Sequence, residues 1–373
     1  MSSLKKVFIL TTGPKYNLEA DFQERCLRLS KNFTGVVLTS GPSREERIFG
    51  NFIVIRVKDP FIKSWTITLK YLIVSFKILF ASALKGERFD LLTTYDPLKT
   101  GLIGVMVCFF TKTKLVVEVN GDYTKDVIYS EIRSPFKRQL KKKLMISVAS
   151  FVLKRADGVK LLFDEQVDYF KPLRRNTVIS RFPDYVSSER FKPLSEDKVI
   201  LFVGFPFWVK GVDVLIEAFK TISDEFPEWT LKILGYYPDK TLIDKYMANH
   251  SKIIYHPPVD PTLMPEHIGR CGIFVLPSRT EAMGRVLIEA MAAEKPRIGA
   301  RVGGIPTVIA DGKDGILFDP ENVNDLAEKL KLLLSNDELR KKYGLEAKRR
   351  YLKEFTAEDY FDSLDSFYSK VLT

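Results

Sequence analysis

Two carboxylates, Glu281 and Glu289, stand in the stretch Pro277-Ser278-Arg279-Thr280-Glu281-Ala282-Met283-Gly284-Arg285-Val286-Leu287-Ile288-Glu289. The pattern reads as a strand ending at Pro277, a glycine-containing turn, and a helix that opens near Gly284 and is apolar nearly all round except at Glu289. A helix apolar all round is a buried one, and an unpaired buried carboxylate is costly, so Glu289 needs a partner from protein or ligand. A carboxylate accepts two hydroxyl hydrogen bonds at once, which suits a vicinal diol such as ribose. The amides of Gly284, Arg285 and Val286 at the helix N-terminus offer a site for anionic oxygens, reinforced by the helix dipole, and Glu281 stands beside it. The competing role has Glu281 capping the helix and Glu289 paired with an internal Arg or Lys.

A second group lies at Val199–Val203 followed by Gly204-Phe205-Pro206-Phe207-Trp208-Val209-Lys210-Gly211 and a helix from Val212 to about Phe219. Lys210 falls at the start of that helix, where the dipole disfavours a cation unless an anion sits nearby. Lysine together with backbone amides is a common way to hold a diphosphate.

These loops need a scaffold. Short β-branched runs recur between helix-length segments at Val7–Leu10, Val36–Thr39, Phe52–Val57, Leu91–Thr94, Leu115–Val119, Val159–Phe163 and Val178–Ser180. The habit repeats at Val199–Val203, Leu231–Leu234, Ile253–Tyr255, Ile273–Leu276, Arg297–Ala300 and Ile316–Phe318. Such alternation predicts an α/β protein with two parallel sheets covered by helices, whose ligands bind at the carboxyl ends of the strands. At 373 residues and 45% hydrophobic content the chain is long enough for two cores. The boundary is expected between Pro183 and Asp197, giving domains at 1–190 and 191–355 and an amphipathic helix over 356–373 that crosses back to the first domain.

Composition excludes several classes. Cys26, Cys108 and Cys271 lie far apart without a C-x-x-C spacing, which supports neither a disulfide framework nor a zinc cluster and leaves reduced, mostly buried thiols. Three histidines and no H-E-x-x-H argue against a zinc hydrolase. The start lacks a secretory core, and Lys70 and Lys77 interrupt the most hydrophobic stretch, Ile67–Leu84, so the expectation is a cytoplasmic protein without a transmembrane segment.

Together these stretches resemble the retaining nucleotide-sugar glycosyltransferases of the family 4 type, which adopt the GT-B architecture of two Rossmann-like parallel-sheet domains facing across a cleft. The matching residues are the E-x7-E pair Glu281 and Glu289, Val203-Gly204 with Lys210-Gly211-Val212-Asp213, the run Glu289 to Pro296, and Gly303-Gly304-Ile305-Pro306 followed by Asp311-Gly312 and Gly315. The resemblance is specific over about residues 199–330. It implies that Lys210 binds the donor diphosphate and that Glu289 holds the ribose. Glu281, with Met283, Gly284, Arg285 and Val286, is implied to contact the donor sugar and the departing phosphate, with Gly204 in the donor loop and Val259 and Leu263 against the base. On the acceptor side Gly13, Asp96 and Asn120 match first-domain loops.

Three positions depart from the family pattern. Phe205 stands where members usually carry an Arg as a second diphosphate cation, so that either Arg279, Arg285 or a first-domain cation compensates or donor affinity is lower. Asn120 replaces a histidine, and an amide is neither acid nor base near neutral pH. Gly13 stands where members carry a glycine pair.

The implied reaction moves a sugar from a nucleotide diphosphate sugar to an acceptor hydroxyl with retention, Glu281 orienting the sugar rather than attacking it. No Asp-x-Asp occurs, so no metal is expected, and no cofactor besides the donor co-substrate. The alternative is a non-catalytic GT-B subunit that binds a nucleotide sugar or glycan.

The formal charge of +11 divides unevenly, +15 over residues 1–193 and −4 over the rest. Arg133, Lys137, Arg138, Lys141, Lys142 and Lys143 fall in a segment without an acid, followed by the apolar run Leu144 to Leu153. A basic amphipathic helix of this kind suits the anionic face of a membrane, pointing to glycolipid or surface polysaccharide or lipopolysaccharide biosynthesis with a glycan or lipid-linked acceptor. A solvated face or an anionic soluble acceptor is the plainer reading. Without interleaved aromatics or a recognition motif, nucleic acid is not an expected partner.

Overall fold

The computed structural model describes residues 4–11, 18–58, 65–237 and 240–373, the side chains of 18–21, 65–67 and 240 excepted. Gly13 lies outside the described residues. The chain divides into two compact units, one of residues up to Thr124 with Gln139–Phe182 and Phe361–Thr373, the other of Lys125–Arg138 and Pro183–Tyr360.

The strands of the first unit are β1 (Lys5–Leu10), β2 (Phe33–Gly41), β3 (Glu45–Phe49), β4 (Phe52–Lys58), β5 (Leu91–Thr94), β6 (Lys114–Glu118), β7 (Gly158–Leu161) and β8 (Val178–Arg181). They form one sheet in the order β3-β4-β2-β1-β5-β6-β7-β8. Its helices are α1 (Leu18–Leu29), α2 (Trp65–Leu84), α3 (Lys99–Thr111) and α4 (Pro135–Leu153). Phe8, Leu38, Leu92, Val117 and Val159 from the strands share one core with Tyr71 and Leu79 of α2, Ile103 and Val107 of α3, and Ala149, Val152 and Leu153 of α4. The continuous apolar strands therefore follow from burial beneath helices.

The sheet departs from the all-parallel expectation at β3, which pairs antiparallel with β4. Its sequence, EERIF, is half exposed and charged, as befits an edge strand, and carries no β-branched run to betray it. The connection turns at Gly50, whose φ of +57° is the left-handed conformation that a tight hairpin requires.

The second unit has β9 (Val199–Val203), β10 (Thr230–Leu234), β11 (Ile253–His256), β12 (Ile273–Leu276), β13 (Arg297–Ala300) and β14 (Ile316–Phe318). All pair in parallel, in the order β11-β10-β9-β12-β13-β14. Around them lie α5 (Val212–Ile222), α6 (Lys240–Met247), α7 (Met264–Arg270), α8 (Arg285–Ala292), α9 (Ile305–Val308), α10 (Val323–Leu334) and α11 (Asp337–Glu354). The chain lays strands outward from β9 in one direction as far as β11, then returns to β12 on the other side of β9. The loops after β9 and β12 are thereby neighbours at the carboxyl edge, at the point where the strand order reverses and open α/β sheets bind ligands.

The last helix, α12 (Ala357–Leu372), sets Phe367 against Phe182 and Tyr368 against Phe33 at ring separations of 6.1 and 5.6 Å, all in the first unit. Among the described residues no helix is long and apolar enough to cross a membrane. The thiols are unpaired, and burial pushes those of Cys26 and Cys271 up to about 12.

Candidate functional site

The loops after β9 and β12 are tied together from backbone outward. Gly211 takes a left-handed φ of +63°, and a side chain there would start 2.0 Å from the carbonyl oxygen of Pro277. The amide of Arg279 donates to the carbonyl of Val209 at 2.9 Å. The Arg279 guanidinium donates to both oxygens of Asp213 at 2.8 and 2.7 Å, to Glu321 at 2.7 Å and to the carbonyl of Trp208 at 2.8 Å. Such bidentate pairs fix geometry as well as adding energy.

Held by these contacts, Lys210 Nζ meets Glu281 Oε2 at 2.5 Å, with side chains only 20% and 13% exposed. The hydroxyl of Ser278 donates to the same oxygen at 3.2 Å. Glu281 thus forms an ion pair rather than a helix cap: the N-cap of α8 is Gly284, at a φ of +80°, and it makes no side-chain capping bond. Beneath the loop runs the Gly303-Gly304 turn, where the amide of Gly304 donates to the Glu281 carbonyl at 3.1 Å. A side chain on Gly304 would start 1.9 Å from the Ala282 carbonyl oxygen, so only glycine permits this approach.

Arg285 and Val286 form the first turn of α8, where helix geometry leaves the amides without intrahelical acceptors. The exposed Arg285 side chain has no hydrogen-bond or ion-pair partner among the described residues. Met283 is buried, and its sulfur accepts the Asp184 amide at 3.2 Å. One turn into α8, Glu289 has no hydrogen-bonding partner among the described residues. Burial pushes its carboxyl up to about 7 against the opposing pull of Arg285 and Arg190. The internal partner that a structural role for Glu289 demands is therefore absent among the described residues.

Other expectations fare differently. Arg279 is no spare cation for a diphosphate, because Asp213 and Glu321 take its donors. Phe205 is exposed beside Gly204, its ring 5.7 Å from that of Tyr236. Val259 is half-buried and Leu263 exposed in the loop after β11, two strands from β9. In the first unit the Asp96 carboxylate accepts from the Leu98 amide and the Thr100 hydroxyl, both at 2.7 Å, at the start of α3, while burial pushes it upward. Asn120 donates to the Tyr95 carbonyl at 2.8 Å, and its buried side-chain oxygen has no hydrogen-bond partner among the described residues, which leaves acceptor capacity for a hydroxyl. Arg133, Lys137, Lys141 and Lys143 are exposed, whereas Lys142 is half-buried and Arg138 donates to the Ser130 and Ile132 carbonyls at 3.4 and 3.1 Å.

Two participants were not read from the sequence. Ser278 adjoins the motif and steadies Glu281. Arg190, near Glu289, comes from the segment before β9, 99 residues earlier, and no local signal marks it.

A family profile described as "Glycosyl transferases group 1" matches residues 187–350. An uncharacterized glycosyltransferase of Methanocaldococcus jannaschii is 36% identical over 162 residues, which cover 42% of this chain and 44% of that protein. The capsular polysaccharide biosynthesis glycosyltransferase CapM of Staphylococcus aureus is 26% identical over 185 residues, 48% of each chain. These matches take in less than half the length of either relative. Among solved structures, HepE of Anabaena in complex with UDP-glucose superimposes with a TM-score of 0.73 at 14% identity, covering 98% of this chain and 99% of its own. Over residues 187–350 the chain is thus similar to the glycosyl transferases group 1, and its fold is the GT-B architecture of two Rossmann-like domains.

Proposed function

We propose that this protein transfers a sugar, with retained anomeric configuration, from a nucleotide diphosphate sugar to an acceptor hydroxyl. The observation that carries the reading is the Lys210–Glu281 pair just ahead of α8, with the carboxylate of Glu289, which has no hydrogen-bonding partner among the described residues, one turn on. In this reading Glu289 accepts the two ribose hydroxyls, and Lys210 and the first amides of α8 face the diphosphate, with Gly204 in the same loop. Loss of the diphosphate places negative charge on the leaving oxygens, and preorganised cations and amides stabilise that charge by several kcal/mol, on the order of 3 per donor group. Arg285 stands at the same helix start and supplies the second cation that Phe205 does not, so the reading assigns no part to a metal ion.

Glu281 orients the donor sugar and holds Lys210 in place, while the leaving phosphate takes the acceptor proton. Asn120, with its unpartnered oxygen, is the best supported acceptor-side residue, since its capacity to accept a hydroxyl is unused. Val259 and Leu263 are assigned to the base. The name of the capsular relative and the basic stretch from Arg133 to Lys143 support a glycan or lipid-linked acceptor at an anionic membrane face, in glycolipid or surface polysaccharide synthesis.

Slow donor hydrolysis tests the site without knowledge of the acceptor. Wild-type protein incubated with a panel of nucleotide sugars should release free nucleotide diphosphate from one of them, and Lys210→Ala and Glu281→Ala should slow that release about a hundredfold. Equal rates in wild type and both variants would remove the proposed site.

A further inference from the structure

The outer surface of α2, α3 and α4 does not look like that of an ordinary solvated helix. Together the three helices contain eight basic residues and no acidic one. The second unit supplies an internal contrast: α11 balances its exposed surface with ion pairs such as Lys341–Glu338, Arg349–Glu346 and Arg350–Glu354.

The same outer surface is apolar. On α2, Ile73, Phe80 and Leu84 share one helical line and are exposed, Leu84 at 88%. At the end of α3, Phe109 and Phe110 are 79% and 64% exposed. Rings run from one helix to the next, Phe80 to Phe76 at 6.0 Å, Phe76 to Phe110 at 5.8 Å and Phe110 to Phe109 at 5.2 Å. On α4, Leu140, Leu144 and Phe151 form a further exposed line, opposite the Ala149, Val152 and Leu153 face that enters the core. Between α3 and α4 lies a recess of about 460 Å³ lined by Met106, Phe109 and Phe151, with Arg155 at its rim. A second recess of about 270 Å³, between α2 and α3, has Arg88 and Lys112 at its edge. The acids nearest these recesses are already paired, Asp157 with Lys114 and Arg174, Glu87 with Lys6.

We infer that this three-helix face inserts its apolar side chains into the interfacial layer of an anionic bilayer. Apolar side chains interspersed with cations, on helices without acids, match such a surface, where phenyl and leucyl groups enter the acyl boundary and cations meet the headgroups. A second copy of the chain is a poorer occupant, because two cationic faces whose helices carry no acid repel. The inference rests on the membrane reading of the basic helix given above and deepens it: charge on α4 alone gives binding that salt abolishes, whereas insertion adds a salt-resistant component.

The test is flotation of the full chain with vesicles of phosphatidylcholine mixed with phosphatidylglycerol, and with phosphatidylcholine alone, at low and high salt. Binding to the mixed vesicles at low salt, with part of it surviving high salt, is expected. Phe109→Ser with Phe110→Ser should lower the salt-resistant partition about tenfold or more. Lys141→Glu with Lys143→Glu should lower low-salt binding about tenfold. Both pairs are exposed, and unchanged thermal melting verifies that the variants fold. No binding to mixed vesicles at low salt overturns the inference and the membrane reading together. Binding abolished by salt, with the phenylalanine variant bound as wild type is, overturns insertion alone. Self-association without lipid that the phenylalanine variant abolishes also overturns it, in favour of a second copy. Donor hydrolysis in the phenylalanine variant should equal that of wild type, which separates this test from that of the transferase site.

Discussion

Arg279 grips Asp213 through two parallel hydrogen bonds, Nη1 to Oδ1 at 2.8 Å and Nη2 to Oδ2 at 2.7 Å, while its Nε reaches Glu321 at 2.7 Å. The carboxylates on both sides hold the guanidinium firmly in its charged form. The bond joins the loop after β12 to the first turn of α5, and so fixes Lys210 relative to Glu281.

Removing that grip is a test of positioning. Arg279→Ala leaves Asp213 nearly buried without its partner and should destabilise the second unit by about 2 kcal/mol. It should also raise the KM for the donor more than it lowers kcat, since no contact with the reacting atoms is assigned to Arg279. Arg279→Lys keeps the charge but loses the fork, and should recover only part of either effect. Urea midpoints and steady-state kinetics of donor hydrolysis give both readings.

Glu289 makes the site sensitive to pH. Its carboxyl is raised from 4.5 to about 7 by burial, so below neutrality it is protonated and has one oxygen fewer to accept from a diol. Nucleoside diphosphate binding, measured by calorimetry from pH 5.5 to about 8.5, should strengthen as pH rises through about 7, with proton release below it. Stability runs the other way. Because the folded value lies above the unfolded one, the contribution of Glu289 is fully present below about 4.5 and is lost as pH rises through about 7. Glu289→Gln should flatten both dependences, in binding and in melting temperature.

The exposed Phe205 offers a gain of function. An arginine in its place, directly after Gly204, adds a cation to the loop that carries Lys210. Phe205→Arg should tighten binding of UDP or GDP, whichever stabilises the wild type, about tenfold, as expected for a charge-assisted bond worth about 1.5 kcal/mol. Thermal shift titration reads this directly, and an unchanged dissociation constant would argue against a diphosphate beside Gly204.

Gly211 is the most demanding backbone position in the site. Its left-handed φ and the Pro277 carbonyl 2.0 Å from a would-be side chain together predict that Gly211→Ala costs about 2 kcal/mol and separates the two loops. Denaturation and donor hydrolysis should both suffer. Gly312→Ala, with a similar φ of +70° but nothing within 4 Å, is the control that carries the backbone strain without the clash.

What the sequence disclosed, and what it withheld, follows from the range of the forces involved. Buried parallel strands such as β9 and β12 announce themselves through uninterrupted β-branched runs, because both faces must be apolar. The edge strand β3 escapes such a reading, since half of it faces water and its sequence is correspondingly charged. Lys210, Glu281 and Glu289 were recognisable as types at motif spacing. That Lys210 touches Glu281 was not, because 71 residues separate them and only the β9–β12 adjacency brings their loops together. The same holds for Arg279, which reads in sequence as a free cation and is in fact enclosed by Asp213 and Glu321. Asp96 was legible as a loop residue, but its bonds to the Leu98 amide and the Thr100 hydroxyl at the start of α3 were not, because they depend on how the chain turns into the helix.

The Lys210–Glu281 pair also bears on how quickly a donor arrives. As a pair, the two side chains carry no net charge, so at distances beyond the Debye length of about 10 Å they exert little pull on an approaching diphosphate. On the proposed reading, encounter is then governed by diffusion and by Arg285, and the lysine becomes available to a phosphate only as the incoming ligand competes with the carboxylate for it. Such exchange of partners favours a modest association rate with little dependence on ionic strength, and leaves discrimination among donors to the dissociation step.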